Sequence, residues 1–227
     1  MEGFVPQRLA PGVWVWQSPN FATNSGLVVD GVHAILIDPG MVPRELDAWA
    51  HFVEERGATV RYVLITHAHW DHLLGAEHFP SSQILAHRNY LRVLGAHADD
   101  LMRQVARWKL EEGLDRDDPF RSPSPTVTFD ARVTVCLGLR DLVALHAPGH
   151  SPDQIAVFVP DVGLLWAGDM LSDREPPMAM ESVPRYIRTL WRLQTLPVKM
   201  LVPGHGAPTS DPCAIHFRFK QDVCYLE

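Results

Sequence analysis

The sequence predicts an α/β fold in which strands and helices follow one another in two similar halves. Apolar runs typical of strands, followed by helical apolar spacing, occur twice along the 227 residues. Several of these runs end in glycine-containing loops that carry His or Asp, and functional residues collect at such strand ends in packed sheets. The length suits one sizeable core. We therefore expect a single domain over residues 1–227, built of two packed βα halves.

The first half is predicted to run from residue 13 to about residue 87. Asp30 and Gly31 give the hairpin signal between its second and third strands. Pro43 suits the first turn of a helix and Gly57 its end. The predicted elements are strands at 13–16, 25–29, 34–37, 60–65 and 84–86, and helices at 43–56 and 73–78.

Residues 88–120 differ in character from the strand-rich segments on either side. Their apolar residues have helical spacing in two pieces, and the prolines near residues 119–125 then interrupt regular structure. We interpret this segment as a helical insertion between the halves. Three roles are open for it: a lid over the site, a contact in a homodimer, or peripheral packing.

The second half repeats the pattern of strands and helices. Ser182 is a suitable N-cap for a helix that continues to Leu196, and the tail from Asp211 has helical character. The predicted strands lie at 126–129, 133–136, 142–145, 155–159, 164–166 and 198–202.

The densest chemical signal is a run of three histidines and one aspartate directly after the strand at 60–65. Imidazole and carboxylate are ligands for zinc, iron and manganese. Side chains at i and i+2 of an extended segment point the same way, so His67 and His69 are expected to bind one ion together. If a helix begins at Asp71, that carboxylate and His72 turn towards a second ion.

Three other apolar runs end in the same kind of residue. They lead to His150, Asp169 and His205, each next to a glycine-containing loop. Four strands that deliver seven His and Asp side chains to one edge predict a two-metal site. Asp38, at the end of another strand, either orients a ligand histidine or initiates a turn before proline. His87 is expected to be structural.

These motifs together resemble the signature of the metallo-β-lactamase superfamily. The matching segments are the His67 to His72 motif, Leu36 to Gly40, Pro148 to Asp153, Gly168-Asp169 and Pro203 to Gly206. The resemblance implies a four-layer αββα sandwich with the metal site along one edge. It assigns one ion to His67, His69 and His150, a second to Asp71, His72 and His205, and Asp169 as the bridge. The usual ions are two zinc; iron or manganese also occur.

The resemblance is to the binuclear hydrolase branch that includes glyoxalase II and lactonases. A water shared by two cations loses a proton near neutral pH, and the resulting hydroxide would attack a small ester, thioester or lactone. Asp71 is the candidate catalytic residue that orients this hydroxide. The alternatives are a mononuclear iron oxygenase like the persulfide dioxygenases, a phosphodiesterase, and a metal-binding protein without catalysis.

The substrate is not identified by the sequence. The lactonase tyrosine after the bridging aspartate is missing, and residues 170–178 do not match the glutathione-binding pattern of glyoxalase II. Trp70, Arg174 and Met178 are candidate walls for a small-molecule substrate. Trp14, Trp16 and Met180 are weaker candidates for the same role.

Charge and composition argue against several other classes. A net charge of −7 disfavours nucleic-acid partners and docking on anionic membranes. No apolar run reaches the roughly 20 residues of a membrane helix, and the first residues lack signal-peptide features, so a cytoplasmic protein is expected. The three cysteines are expected to be buried and reduced, with a Cys213–Cys224 disulfide as the alternative.

Overall fold

The computed structural model describes residues 4–111 and 122–227, and its first sheet has seven strands. The strands follow one another in chain order across this sheet. The first four pair antiparallel and the fourth to seventh pair parallel. Their bounds are β1 Gln7–Ala10, β2 Val13–Gln17, β3 Asn24–Asp30, β4 His33–Ile37, β5 Thr59–Leu64, β6 Gln83–His87 and β7 Val127–Phe129.

The second sheet has five strands in the order β12-β11-β10-β9-β8. Only β11 and β12 in this sheet pair parallel, and the other neighbours are antiparallel. The bounds are β8 Arg132–Leu137, β9 Arg140–His146, β10 Ile155–Val159, β11 Leu164–Trp166 and β12 Met200–Val202.

Six α-helices in the described residues cover the outer faces of the sheets. Ser182 caps α5 and Asp211 caps α6, each with its side-chain oxygen accepting a backbone N–H. A short 3₁₀ helix lies at Ala76–His78. The helices are α1 Pro43–Glu54, α2 Trp70–Leu73, α3 Tyr90–Ala96, α4 Ala98–Glu111, α5 Val183–Gln194 and α6 Pro212–Leu226.

Three apolar cores define four layers. The central core lies between the sheets and includes Ile35 and Trp166. A second core packs α1 to α4 on the first sheet, and a third packs α5 and α6 on the second sheet. Gly26 permits close approach of the sheets, since a Cβ there would lie 2.6 Å from the Trp166 ring. The predicted αββα sandwich is confirmed.

The predicted elements agree with the structure to within a few residues, with two differences. Strand β1 was not predicted, because its four residues alternate weakly and lie at a sheet edge. The predicted helix at 73–78 is instead α2 followed by the 3₁₀ turn, because Gly75 separates them. The predicted insertion contains α3 and α4, and its residues 112–120 lie outside the described part of the chain.

The expectation that the cysteines are buried was wrong. Cys136, Cys213 and Cys224 are all exposed and free. The last two lie on one helix, eleven positions apart, which corresponds to about 16 Å along the axis. That separation is too long for a disulfide, which needs Cα atoms within about 7 Å.

Among the described residues, no helix is long and apolar enough to cross a membrane.

Candidate metal centre

The seven predicted ligands meet at one edge of the two sheets. The first sheet supplies four of them, from the loop after β5 and from α2, which begins at Trp70. The second sheet supplies three, from the loops after β9, β11 and β12. They form two groups: His67, His69, His150 and Asp169, and Asp71, His72 and His205.

In the first group, nitrogen and oxygen atoms converge on one point. His69 Nδ1 lies 2.9 Å from His67 Nε2 and 3.2 Å from His150 Nε2. Asp169 Oδ2 lies 3.5 Å from His67 Nε2 and 3.3 Å from His150 Nε2. A tetrahedral zinc site with bonds of about 2.0–2.1 Å has edges of about 3.3 Å. The spacing therefore fits a four-coordinate ion.

The second group is joined to the first by Asp169. Its other oxygen, Oδ1, lies 3.0 Å from His72 Nε2 and 3.7 Å from His205 Nε2. Asp71 Oδ2 lies 3.0 Å from His205 Nε2 and 3.5 Å from His72 Nε2. Each carboxylate oxygen of Asp169 thus faces one group, which is the arrangement that a bridging ligand requires.

Two buried polar atoms, His72 Nε2 and Asp169 Oδ1, face each other at 3.0 Å where the two groups meet. Each is shielded from solvent, and neither has another hydrogen-bond partner in the described structure. A nitrogen and a carboxylate oxygen in this position are both donors to a cation. The residues present therefore fit a second ion as well as a first.

The histidine rings are held by hydrogen bonds on the side away from the centre. His72 Nδ1 donates to Asp38 Oδ2 at 2.9 Å, which is the orienting contact that the sequence suggested for Asp38. Asp38 also accepts the backbone N–H and the hydroxyl of Thr66. His67 Nδ1 contacts the same Thr66 hydroxyl at 3.0 Å. These contacts fix the rings so that Nε2 faces the metal position.

Two further rings are oriented by backbone carbonyls. His150 Nδ1 donates to Met178 O at 2.8 Å, and His205 Nδ1 donates to Phe21 O at 2.9 Å. Sequence reasoning missed both contacts, because a carbonyl group is present at every residue and no side-chain type marks it.

Phe21 carries an unusual backbone conformation. Its φ is +58° and that of Ala22 is +51°, which for side chains with a Cβ is the sparsely populated left-handed region. The Phe21 ring packs edge-on against Trp70 at 5.2 Å and against Trp108 at 4.6 Å. Trp108 belongs to α4 and stacks on Trp70. This aromatic cluster fixes the loop whose carbonyl orients His205.

Position 204 requires glycine because the Asp169 carboxylate lies close to its backbone. A Cβ at this position would overlap Asp169 Oδ1, the oxygen that faces the second group. Its backbone N–H also donates to Gly168 O at 2.6 Å. The glycine before His205 therefore makes room for the Asp169 carboxylate.

Burial and mutual charge shift the pKa values of the ligands. Burial, and then the charge on His72, lower the pKa of His67 to about 4. Burial opposes ionisation of Asp169, but the neighbouring histidines hold its pKa well below its usual range. Burial lowers the pKa of His205, but its hydrogen bond with Asp71 and the charges of Asp169 and Asp71 together raise the pKa to about 9. The imidazoles of His67 and His69 are thus neutral and available to a cation, whereas His205 must release a proton when it binds one.

A cleft of about 480 Å³ opens beside the first group. This volume lies within the usual range of small-molecule sites. Its lining combines two ligand histidines with residues of α3, α4 and the segment before α5. The lining residues are Ala68, His69, Trp70, Val93, His97, Asp100, Leu101, Gln104, His150, Ser151, Pro152, Met180 and Glu181.

Only some of the residues predicted to contact the substrate line the cleft. Trp70 and Met180 line the cleft, whereas Arg174 and Met178 do not. Met178 lines a separate, water-sized cavity of about 10 Å³ beside Asp169 and His205. Arg174 is exposed.

Three other candidates lie away from the two ligand groups. Trp14 and Trp16 pack with the core under α1. His87 hydrogen-bonds Asp130 O at 2.7 Å and stacks on His146, which agrees with the expected structural role.

The family model of the metallo-beta-lactamase superfamily matches residues 19–205. Among curated proteins, atrochrysone carboxyl ACP thioesterase AgnL7 of Paecilomyces divaricatus is 28% identical over 82% of this chain and 50% of its own length. Acyl-coenzyme A thioesterase MBLAC2 of Homo sapiens is 25% identical over 99% of this chain and 90% of its own. The chain spans about half the length of the fungal relatives it matches.

Solved structures show the same fold. A metallo-beta-lactamase from Pontibacter korlensis superposes with a TM-score of 0.72 at 16% identity, covering 98% of each chain. A beta-lactamase domain protein from Burkholderia ambifaria gives 0.73 at 21% identity, covering 97% of this chain and 74% of its own. With its family match over most of its length, this chain belongs to the metallo-β-lactamase superfamily.

Proposed function

We propose that this chain is a hydrolase that uses two divalent metal ions, most simply zinc, to cleave a thioester. The observation that carries the proposal is the placement of Asp169, whose two carboxylate oxygens face two separate ligand groups. A mononuclear iron oxygenase does not need the second group. His72 Nε2 in that group is shielded from solvent and faces two carboxylate oxygens, which supports an ion there.

The choice of a thioester within the broader set of esters, thioesters and lactones is supported by the relatives. AgnL7 and MBLAC2 are both named as thioesterases, and the second aligns over nearly the whole of both chains. A phosphodiester is a poorer candidate. Among the described residues that line the cleft, none is a lysine or arginine that would bind a phosphate.

The reaction balances as a simple hydrolysis. The oxygen of a water molecule bonds to the acyl carbon, the carbon–sulfur bond breaks, and the thiol leaves with a proton. Bound divalent cations would lower the pKa of that water and polarise the acyl carbonyl. The protein's part is to hold seven ligands in fixed orientations and to seat the acyl group beside Trp70.

Asp71 is proposed to orient the attacking water and to pass its proton towards the leaving thiolate. Burial opposes its ionisation, yet the charge on His72 and the hydrogen bond from His205 keep the pKa of Asp71 below its usual value. It is therefore an ionised acceptor at neutral pH. Asp71→Asn is expected to lower kcat by about 10²-fold or more. Full turnover by this variant with both metals retained would exclude the role.

The proposal is tested by counting metals and assaying turnover on the same preparation. Protein purified without added metal is analysed for each metal per chain by mass spectrometry. It is then assayed with thioesters, lactones and phosphodiesters. About two zinc or manganese per chain with thioester cleavage supports the proposal. One iron per chain, with oxygen uptake on glutathione persulfide, would replace it with the oxygenase reading.

A further inference from the structure

We infer that the cleft beside His69 and His150 seats the acyl group of the substrate and selects a neutral, apolar acyl chain over one that ends in a carboxylate. This inference rests on the proposed thioester hydrolysis and names its substrate class. It concerns the walls of the cleft and not the metal ligands themselves.

The cleft lies directly on the first ligand group. His69 and His150 belong both to that group and to the lining of the cleft. An acyl chain in the cleft therefore has its carbonyl end at the candidate metal position. Ser151 and Pro152, which follow His150, continue the same wall.

Six of the eleven lining residues that are not candidate ligands are apolar, and the others are His97, Asp100, Gln104, Ser151 and Glu181. Trp70 of α2, Val93 of α3 and Leu101 of α4 contribute an aromatic ring and two aliphatic groups. Met180, in the segment before α5, adds a thioether, and 63% of its surface is exposed. An aromatic ring and flexible thioether beside aliphatic groups suit a hydrocarbon chain and bind it through buried apolar area.

Apart from its histidines, the charged residues of the lining are both acidic. Asp100 and Glu181 line the cleft, and the described lining contains no lysine or arginine. The cations that pair with these two carboxylates, Arg103 and Arg185, lie on the exposed helix surfaces outside the lining.

A carboxylate at the far end of an acyl chain is therefore disfavoured for two reasons. It would leave water without gaining a lysine or arginine partner in the described lining, and burying an unpaired charge is costly. It would also approach Asp100 and Glu181, whose charge has the same sign. A methyl-terminated chain meets neither penalty.

The first test compares two thioesters that differ only at the far end of the acyl chain. Hexanoyl and adipoyl N-acetylcysteamine have the same chain length and leaving group, and adipoyl carries a terminal carboxylate. The zinc-loaded protein is expected to show a kcat/KM at least about tenfold higher for the hexanoyl compound. Equal kcat/KM values would overturn the inference while leaving thioester hydrolysis intact.

A charge introduced at the wall tests the cause. Met180→Lys places a cation in the cleft at an exposed position, so the fold is expected to tolerate it. The ratio of kcat/KM for the hexanoyl compound to kcat/KM for the adipoyl compound should fall at least fivefold in this variant. Met102→Lys is the matched control, because Met102 lies on α4 beside Leu101, is 45% exposed and is not part of the lining. An unchanged ratio in Met180→Lys, or an equal change in Met102→Lys, would contradict the assignment.

A binding measurement separates failure of the inference from failure of the proposed function. Hexanohydroxamic acid and its analogue with a terminal carboxylate are titrated into the zinc-loaded protein by calorimetry, which needs no turnover. Tighter binding of the uncharged compound, weakened by Met180→Lys, supports the cleft assignment even if no thioester is hydrolysed. Equal affinities would overturn the assignment whatever the enzyme hydrolyses.

Discussion

The buried carboxylate of Asp153 accepts a hydrogen bond from the backbone N–H of Ala68 at 2.9 Å. Ala68 separates His67 from His69, so this bond fixes the loop that carries both. The same carboxylate accepts a hydrogen bond from the hydroxyl of Ser151, and Ser151 directly follows His150. One side chain thereby ties together ligand loops that come from different sheets.

Removal of this side chain is expected to loosen the first ligand group. Asp153→Ala leaves the Ala68 N–H without its partner, so the free energy of unfolding should fall by about 1–3 kcal/mol. Zinc affinity, measured by competition with a chromogenic chelator, should fall by about 10–100-fold. Asp153→Asn retains one acceptor oxygen, so its losses of stability and of zinc affinity should be much smaller.

The control for this pair is Asp130→Ala. Asp130 is exposed and pairs with Arg88 at 3.1 Å at the surface, where such pairs contribute little. The zinc affinity of the Asp130→Ala variant is expected to match that of the unmodified protein. An Asp153→Ala protein with unaltered zinc affinity would show that the two loops hold their spacing without this carboxylate.

Gly204→Ala is expected to displace the bridging carboxylate. The new Cβ would overlap Asp169 Oδ1, so that oxygen must move away from His72 and His205. Zinc bound per chain, measured after dialysis against a weak chelator, should fall from about two to one or fewer. The second ion is expected to leave first, since Oδ1 faces its group.

Gly95→Ala serves as the comparison for this substitution. Gly95 lies in α3, and nothing stands within 4 Å of the position that its Cβ would occupy. Alanine in a helix is favoured over glycine by about 1 kcal/mol, so this variant should retain its metal and gain slightly in stability. Retention of two zinc ions by Gly204→Ala would mean that Asp169 does not bridge.

The sequence predicted the strands and the candidate ligands because both depend on side-chain type, whereas the four layers followed from the family resemblance. Apolar runs such as Ile155 to Val159 are buried over their whole length, since β10 lies between two apolar cores. The ligands were predictable because imidazole and carboxylate groups recur at strand ends. The Leu36 to Gly40 motif likewise placed Asp38 near the site, and the structure adds that it holds His72.

The parts that could not be predicted depend on backbone position and on distant packing. The carbonyls of Phe21 and Met178 orient two ligand histidines, yet neither residue type signals that role. The cleft walls were only partly predicted for a similar reason. Arg174 follows Asp169 closely in sequence but lies outside the cleft lining, whereas Leu101 reaches the lining from α4.

The pH dependence of stability is expected to reveal the buried carboxyl group of Asp222. Burial raises the pKa of Asp222 to about 6, against hydrogen bonds from Leu171 N–H and Tyr186 that act in the opposite direction. Between pH 4 and pH 6 the native protein therefore binds more protons at this group than the unfolded chain. Stability from this group is complete below pH 4 and declines as the pH rises to 6, by up to about 3 kcal/mol.

Asp222→Asn resembles the protonated carboxyl group and removes this titration. The difference in Tm between the variant and the unmodified protein, both free of metal, should be small at pH 4. It should rise in favour of the variant up to pH 6 and then level off. A difference that stays constant from pH 4 to pH 7 would show that Asp222 ionises normally in the folded protein.

Substitutions of Phe21 are expected to separate backbone strain from ring packing. Phe21→Ala removes the contacts with Trp70 and Trp108 but keeps a Cβ in the left-handed conformation. The carbonyl then loses its support, so retention of the ion held by His205 should weaken by about tenfold in chelator competition. Phe217→Ala removes an exposed ring on α6 and should leave that affinity unchanged.

Phe21→Gly loses the same ring but adopts a φ of +58° without the steric cost of a Cβ. Its free energy of unfolding should therefore exceed that of Phe21→Ala by about 1 kcal/mol in chemical denaturation. Because both variants lack the aromatic contacts, their zinc affinities should be lowered together. Equal stability of the two variants would mean that the loop relaxes out of the left-handed conformation once the ring is gone, and His205 would then lose its carbonyl acceptor in both.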